Sequence, residues 1–258
     1  MAENVTKNPA LERSVLILDW LAQSNAAQNN SLANISRDLN LPKSSVHSLL
    51  ASLVTLELAE RYADGHFKLG PKALRWAAAY GTQNDLASSF QTLAESNTAL
   101  REETIMLAVL RGTEVLYLAY RPGQRTLGVN FRVGGSLPAH CTSSGKAILA
   151  TWAEADVKDL LGAGPFKKLT DKTLISPRAL ITSLRSTRDQ GYALDDEETA
   201  IGMHCFGAPV FEANQNRAHA AVAVSLIKAS TTLSKKKQTV QAITTFAHEL
   251  SRKLGGAR

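Results

Sequence analysis

Side chains that could do chemistry are concentrated in four short stretches of the second half of this 258-residue chain. These stretches are His140–Lys146, Asp195–Glu198, His204–Cys205 and Ala223–Ser225. The first combines hydroxyls with a lysine and runs into a predicted helix, whose free N–H groups suit a carboxylate or a phosphate. The second supplies consecutive carboxylates that repel one another, so we expect some of them to pair with arginines or to cap a helix.

Two enzymatic interpretations of these stretches are open. Ser143-x-x-Lys146 matches the nucleophile motif of serine acyl-transferases, but the companion Ser-Asp-Asn and Lys-Thr-Gly motifs do not occur in the sequence. The His-Cys pairs at 140–141 and 204–205 could gather a zinc ion with a carboxylate, although neither pair has the usual ligand spacing. The alternative function is therefore a zinc- or serine-dependent hydrolase with a helical assembly domain.

The elements around these stretches predict a sheet domain. Apolar runs at Ile105–Leu110 and Val115–Tyr120 flank a turn, which indicates a hairpin. Further strands are predicted at 127–133, 205–211 and 220–226, and helices at 144–152, 177–190 and 236–253. Hairpin strands with separate helices are typical of an α+β domain.

The first 70 residues show a different pattern, which predicts a helix-turn-helix. Ser31 is a good helix N-cap, and Asn40-Leu41-Pro42 separates that helix from another over residues 43–58. The apolar positions of the latter recur with helical spacing and predict its inward face: Val46, Leu49, Leu50 and Leu53. The second helix of such a motif enters the DNA major groove, where short hydroxyls reach phosphates and base edges. The candidate DNA contacts on this helix are Lys43, Ser44, Ser45, His47 and Ser48.

A hairpin follows the predicted recognition helix. Residues 60–69 turn at Asp64-Gly65, and the period-two alternation places His66 and Lys68 on one face. With Arg61, these side chains would lie on the sugar-phosphate backbone. An earlier helix begins at Asn8-Pro9 and carries one apolar stripe of Leu11, Val15 and Leu18. Three helices followed by a basic hairpin predict a winged helix.

Domain organisation and bulk composition are consistent with an intracellular DNA-binding protein. We expect a DNA-binding domain over residues 1–70, and a linker helix with an effector-binding domain over residues 71–258. The net charge of +6 permits an anionic partner, although residues 1–80 carry only one excess positive charge. Two distant cysteines give no disulfide framework, and neither a signal-peptide core nor a membrane-spanning apolar run is present. We therefore expect a cytoplasmic protein without membrane partner, cofactor or metal.

With these motifs in view, the chain resembles the IclR (isocitrate lyase regulator) family of bacterial transcription regulators over nearly its whole length. The motifs that carry the resemblance lie in order at residues 41–47, 64–70, 144–147, 191–198, 202–210 and 220–225. The resemblance implies an α+β protein in which a winged helix-turn-helix is joined by a linker helix to a GAF- or profilin-like effector domain. It further implies a homodimer or tetramer that binds double-stranded DNA at a palindromic operator and is not an enzyme.

The resemblance also implies a site for a small organic acid or aromatic metabolite, which we expect to be a carboxylate. Carried over by position, its residues are Ser143, Ser144, Asp195, Cys205, Ala223 and Ser225. Three departures from the family pattern stand out. Ser48 replaces a frequent arginine and removes a charge-assisted contact. Ala223 replaces the serine of keto-acid binders, and Ser143 and Ser144 replace smaller residues. A glyoxylate-like effector is therefore not assigned.

Overall fold

The computed structural model describes residues 8–23, 30–82, 85–124 and 132–256. The chain forms two compact units, residues 1–83 and 84–258. The boundary expected at residues 70 and 71 stays a prediction. Of the strand predicted at 127–133, residues 127–131 lie outside the described residues, and residues 132 and 133 are not in a strand.

The first unit is a helical bundle with a short hairpin. Its elements are α1 (Pro9–Gln23), α2 (Leu32–Asp38), α3 (Lys43–Thr55), β1 (Ala59–Arg61), β2 (Phe67–Leu69) and α4 (Lys72–Thr82). The side chain of Asn8 accepts hydrogen bonds from the first N–H groups of α1, and the Ser31 hydroxyl accepts one from Asn34 N at 3.4 Å. Between α2 and α3, Asn40 adopts a left-handed backbone with φ of 52°. Strands β1 and β2 pair antiparallel around the predicted Asp64-Gly65 turn.

The core of the first unit confirms the inward face predicted for α3. Val46, Leu50 and Leu53 are buried, and Leu49 packs against them. Helix α1 behaves differently, because it carries apolar residues around much of its circumference and only one side meets α3 and β2. That side is formed by Ile17 and Leu21, so Leu11 and Val15 of the predicted stripe are exposed instead.

The second unit is built on a six-stranded antiparallel sheet with strand order β5-β4-β3-β8-β7-β6. Its strands are β3 (Thr104–Arg111), β4 (Glu114–Arg121), β5 (Ser136–Pro138), β6 (Ala193–Asp196), β7 (Met203–Val210) and β8 (Ala220–Ile227). Its helices are α5 (Asp85–Ser96), α6 (Ser143–Leu149), α7 (Glu154–Leu161), α8 (Pro177–Gln190) and α9 (Leu233–Lys253), with a short 3-10 turn before α9.

Both faces of this sheet are covered, and alternate residues of each strand serve the two layers. Ile105, Leu107 and Val109 face α5 and α9 in one core. Met106 and Ala108 face α6 and α8 in the other. Within the described ranges, no helix has the length and apolar character needed to cross a membrane.

The first turn of α6 lies directly on strand β7 at Gly207. A Cβ atom at this position would lie 2.5 Å from the Ser143 carbonyl oxygen and 3.0 Å from Ser144 N. Only a residue without a side chain allows so close an approach of two backbones. Gly207 therefore determines the distance between the first residues of α6 and the sheet.

Candidate functional site

Three of the residues predicted to bind a ligand form a row across the sheet. Asp195 on β6 pairs with Cys205 on β7, which pairs in turn with Ser225 on β8. The Cys205 Sγ and Ser225 Oγ atoms are 3.2 Å apart. All three side chains are buried on the face that α6 covers.

The remaining predicted ligand residues lie beside this row. Ala223 is two residues before Ser225 on the same face and pairs with Gly207. Ser143 and Ser144 begin α6 directly above Gly207. The structure thus brings all six predicted residues to one buried region between the start of α6 and the sheet.

Tyr117 belongs to this region although the sequence analysis did not select it. Its ring projects from β4 into the core beneath α6 and lies near the Ser144 hydroxyl, which is buried and has no hydrogen-bond partner among the described residues. Burial raises the pKa of the phenol, which stays protonated and can donate a hydrogen bond. The alternation of residues along β4 could have indicated this position, because Tyr117 lies on the same face of the strand as Val115.

A buried ion pair holds α6 to the loop after β6. The Lys146 ammonium on α6 is 1% exposed and donates to the Glu198 carboxylate, which is also buried. Burial raises the pKa of the Glu198 carboxyl, and the ammonium opposes that shift. The backbone carbonyl of Glu198 accepts hydrogen bonds from the Thr170 and Thr173 hydroxyls at 3.3 and 2.7 Å.

Asp195 stabilises the turn that follows β6. Its Oδ1 accepts hydrogen bonds from Glu198 N at 2.7 Å and Thr199 N at 3.3 Å, and its Oδ2 accepts one from the Thr199 hydroxyl. Burial raises the pKa of this carboxyl, while the Thr199 bond opposes the shift. The carboxylate therefore fixes the turn that carries Glu198, and its removal would disturb Lys146 as well.

The two cysteines of the site are buried thiols. Burial raises the pKa of Cys141 to about 12 and raises that of Cys205 further. A thiol in such surroundings is not activated as a nucleophile or a ligand. Among the residues that the structure describes, no three His, Cys, Asp or Glu side chains are grouped to hold a metal ion. Lys146, bound to Glu198, is likewise engaged as a cation rather than as a base for Ser143.

The ion-pair partners of the last three carboxylates of the acidic stretch are lysines, and the expectation of arginine partners was wrong for these three. Glu197 pairs with Lys172 and with Lys228, whose Nζ lies 2.7 Å from its carboxylate. Lys228 also lies 2.6 Å from Asp196. Lys172 lies in the segment before α8 and Lys228 lies directly after β8, so both are distant from the acidic stretch in the sequence.

In the first unit, α3 presents the predicted recognition residues to solvent. Lys43, Ser44, His47 and Ser48 are exposed, and Ser45 is half-buried. His47 and Arg61 line one groove of about 310 Å³ between α3 and the hairpin. An exposed polar helix face beside a basic hairpin has the shape and chemistry of a groove-reading surface.

Each cation at the end of the hairpin has a local partner. Lys68 Nζ lies 2.7 Å from the Glu60 carboxylate, which raises the pKa of Lys68. His66 Nδ1 lies 3.0 Å from Asp64. The Arg61 guanidinium lies over the Phe67 ring. Contact with phosphates would require these exposed pairs to exchange partners.

A winged helix in one unit and a buried polar site in a separate sheet unit define a class of DNA-binding regulators with a sensor domain. Two family models match the chain: the IclR helix-turn-helix domain at residues 10–62 and the bacterial transcriptional regulator IclR C-terminal domain at residues 78–252. The chain therefore belongs to the IclR family of bacterial transcription regulators. It is a DNA-binding transcriptional regulator with an effector-binding domain, not an enzyme.

Several relatives support this assignment. The HTH-type transcriptional regulator BhcR of Paracoccus denitrificans is 33% identical over 79% of this chain and 72% of its own length. The repressor BlcR of Agrobacterium tumefaciens is 35% identical, with a TM-score of 0.62 over 98% of this chain and 99% of that one. An IclR homolog from Microbacterium hydrocarbonoxydans, solved with 4-hydroxybenzoate, shares the fold with a TM-score of 0.79 at 23% identity, over 95% and 98% of the two chains.

Removal of Lys146 should destabilise the second unit strongly. Lys146→Met leaves the Glu198 carboxylate buried without its cation, which costs about 3–5 kcal/mol in the free energy of unfolding. The double variant Lys146→Met/Glu198→Gln should cost less than the sum of the single variants, because it removes both charges. Urea unfolding followed by circular dichroism measures these differences.

Lys228→Met is the matched control for this experiment. It removes a lysine from a half-buried ion pair with Asp196 and Glu197, and Glu197 keeps Lys172 as a partner, so its effect should be smaller than that of Lys146→Met. Equal effects of the two single variants, or strict additivity in the double variant, would contradict the role assigned to the buried pair.

Proposed function

We propose that this protein is a homodimeric regulator that binds a palindromic operator and releases or engages it in response to a small organic acid. The observation that carries the proposal is the joint burial of the six predicted ligand residues beneath the start of α6. Bacterial operators lie in the cytoplasm, which makes that compartment the proposed location.

A carboxylate suits the proposed effector site for three reasons. The Ser143 and Ser144 N–H groups at the start of α6 have no partner within the helix, whereas the Gly145 N–H already donates to the Thr142 hydroxyl. The Ser144 and Tyr117 hydroxyls and the Ser225 hydroxyl add donors on two sides. The homolog from Microbacterium hydrocarbonoxydans was solved with 4-hydroxybenzoate, which is an aromatic carboxylate. Ala223 leaves the floor of the site apolar, which favours an effector with an apolar body.

The effector site can be tested by ligand-induced stabilisation of the full chain. A ligand at about 100 times its Kd stabilises the folded state by roughly 2.7 kcal/mol. In a thermal-shift screen, we expect an aromatic or aliphatic acid to raise the Tm and its neutral amide to leave it unchanged. Ala223→Leu fills the floor of the site and should reduce the shift.

Ala221→Leu is the control for Ala223→Leu. Ala221 is buried on the same strand and the same face, two residues away, so both variants carry the cost of added volume. Ala221→Leu should keep the ligand-induced shift. If Ala223→Leu is folded and responds fully, the effector does not bind at the proposed site.

The DNA-binding surface is proposed to be Lys43, Ser44, Ser45, His47 and Ser48 on α3 with Arg61, His66 and Lys68 on the hairpin. Lys68→Ala should flatten the dependence of log K on log salt by about one unit, because one phosphate contact is lost. Glu60→Gln should strengthen binding, because it frees Lys68 from its partner. Both effects are measured by fluorescence anisotropy on a duplex selected from a random library.

Lys168→Ala is the matched control, because Lys168 also lies 2.7 Å from an exposed carboxylate, that of Asp171, but in the second unit. Its salt dependence should equal that of the wild type. An unchanged slope for Lys68→Ala would remove Lys68 from the proposed surface.

Dimerisation is proposed to use the apolar surface of the first unit. On α4, Leu74 is 75% exposed and Trp76 is 56% exposed, and Leu11 and Val15 of α1 are exposed as well. Apolar surface of this kind marks sites of protein association. A two-fold dimer through this unit would place two copies of α3 on a palindromic operator.

The double variant Leu74→Glu/Trp76→Glu should be monomeric in size-exclusion chromatography with light scattering, because it buries charge in the proposed interface. Ile201→Glu is the control, since Ile201 is 69% exposed in the second unit and should leave the dimer intact. Dissociation by Ile201→Glu instead would place the interface on the second unit.

A further inference from the structure

A cleft lies at the edge of the sheet, away from the proposed effector site. Pairing of β6 with β7 ends at Ala193 and Gly207, but β7 continues to Val210. Beside the extra length of β7 is a cavity of about 560 Å³. Its walls come from the end of α6 and the following loop, the end of α8, strand β7 and helix α9.

The cleft is not suited to receive an additional β-strand. Glu197 N donates to Met203 O, so Met203, Cys205 and Gly207 are the β7 residues that face β6 with their N–H and C=O groups. The next residue in this series is Pro209, which has no N–H. Proline at this position removes the donor that an incoming strand would need.

The shape and lining of the cleft suit a small molecule. Its volume falls within the range of about 300–1,000 Å³ typical of ligand sites. Trp152 and Phe211 supply aromatic surface, and Pro209 supplies further apolar wall. Small apolar residues complete the walls: Ala147, Ala150, Ala153, Ala208 and Ala247.

The ionisable side chains of the lining are an arginine and a histidine. Arg188 donates to Ala150 O at 2.6 Å, to Trp152 O at 3.0 Å and to the Glu154 carboxylate at 3.3 Å. A guanidinium has further N–H groups beyond these three bonds. His248 is exposed on α9, and the described lining of the cleft contains no carboxylate.

The threonines of the lining direct their protons elsewhere. The Thr187 hydroxyl donates to Ser183 O at 3.0 Å, and the Thr244 hydroxyl donates to Val240 O at 2.9 Å. The Thr151 hydroxyl donates to Ile148 O at 2.7 Å. Each proton is therefore engaged by a nearby backbone carbonyl. The remaining side-chain donors among the lining residues belong to Arg188 and His248, which match an acceptor group with negative charge.

We propose that this cleft is a second ligand site, which binds a small organic anion with an aromatic or branched apolar body. The apolar body lies against Trp152 and Phe211, and the anionic group faces Arg188 and His248. None of the six residues of the proposed effector site lines the cleft. The inference therefore does not depend on the proposed effector site.

Benzoate is a suitable probe in calorimetric titration of the full chain, with benzamide as its neutral analogue. Benzoate should bind saturably, also in Ala223→Leu, and benzamide should bind more weakly. Thr244→Phe places a ring in the cleft from a half-buried position and should weaken benzoate binding by about tenfold or more. Thr245→Phe, at the exposed neighbouring position of α9, should bind like the wild type.

A second pair of variants tests the charge. Arg188→Gln should weaken benzoate binding by about tenfold. Arg185→Gln should not, although Arg185 lies on the same helix and pairs with the same Glu154. Absence of saturable binding, or binding lost in Ala223→Leu but kept in Thr244→Phe, would overturn the proposal. If Ala223→Leu does not fold, equal affinities of Thr244→Phe and Thr245→Phe would overturn it as well.

Discussion

The buried pair of Lys146 and Glu198 is the constraint on which the sensor unit depends. An ammonium withdrawn from water must be paired, because an isolated buried charge costs far more than a folded domain can supply. Lys146 lies one turn into α6, and its partner lies after β6, so the pair fixes the helix over the sheet. Gly207 then determines how closely the helix approaches.

The Glu198 side of this pair is itself held by neighbouring segments. Asp195 accepts the Glu198 N–H, and the Thr170 and Thr173 hydroxyls donate to the Glu198 carbonyl. These bonds hold the backbone that carries the Glu198 carboxylate. They also fix the turn after β6, and the Lys146–Glu198 pair ties α6, which begins at Ser143 and Ser144, to that turn.

Helix α6 is shared by the proposed effector site and the proposed second ligand site. Its first residues cover the proposed effector site, and Ala147 with the following Ala150 lines the cleft at the sheet edge. A ligand at either end contacts the same seven-residue helix. Such a ligand changes DNA affinity only to the extent that it binds one arrangement of the protein better than another.

The sequence by itself determined what local patterning controls. Helical spacing gave the inward face of α3, a serine N-cap gave the start of α2, and Asp64-Gly65 gave the hairpin. Apolar runs gave β3, β4, β7 and β8, because strands buried on both faces are nearly continuous in apolar residues. Motif order along the chain indicated the family, and it singled out six residues predicted to bind a ligand, which the structure places in one region.

Tertiary structure decided what depends on partners distant in the chain. The sequence did not predict strand β6, whose residues include two of the consecutive carboxylates. Its pairing partner β7 and the lysines that neutralise it are distant in the sequence. The outward position of Leu11 and Val15 depends on which side of α1 meets the core, and periodicity does not specify this when the stripe is broad. Tyr117 entered the site through strand register, and the cleft exists because β6 ends before β7 does. Strand pairing and the packing of helices on the sheet bring residues together that are distant in the sequence. Neither composition nor residue spacing specifies which of them come into contact.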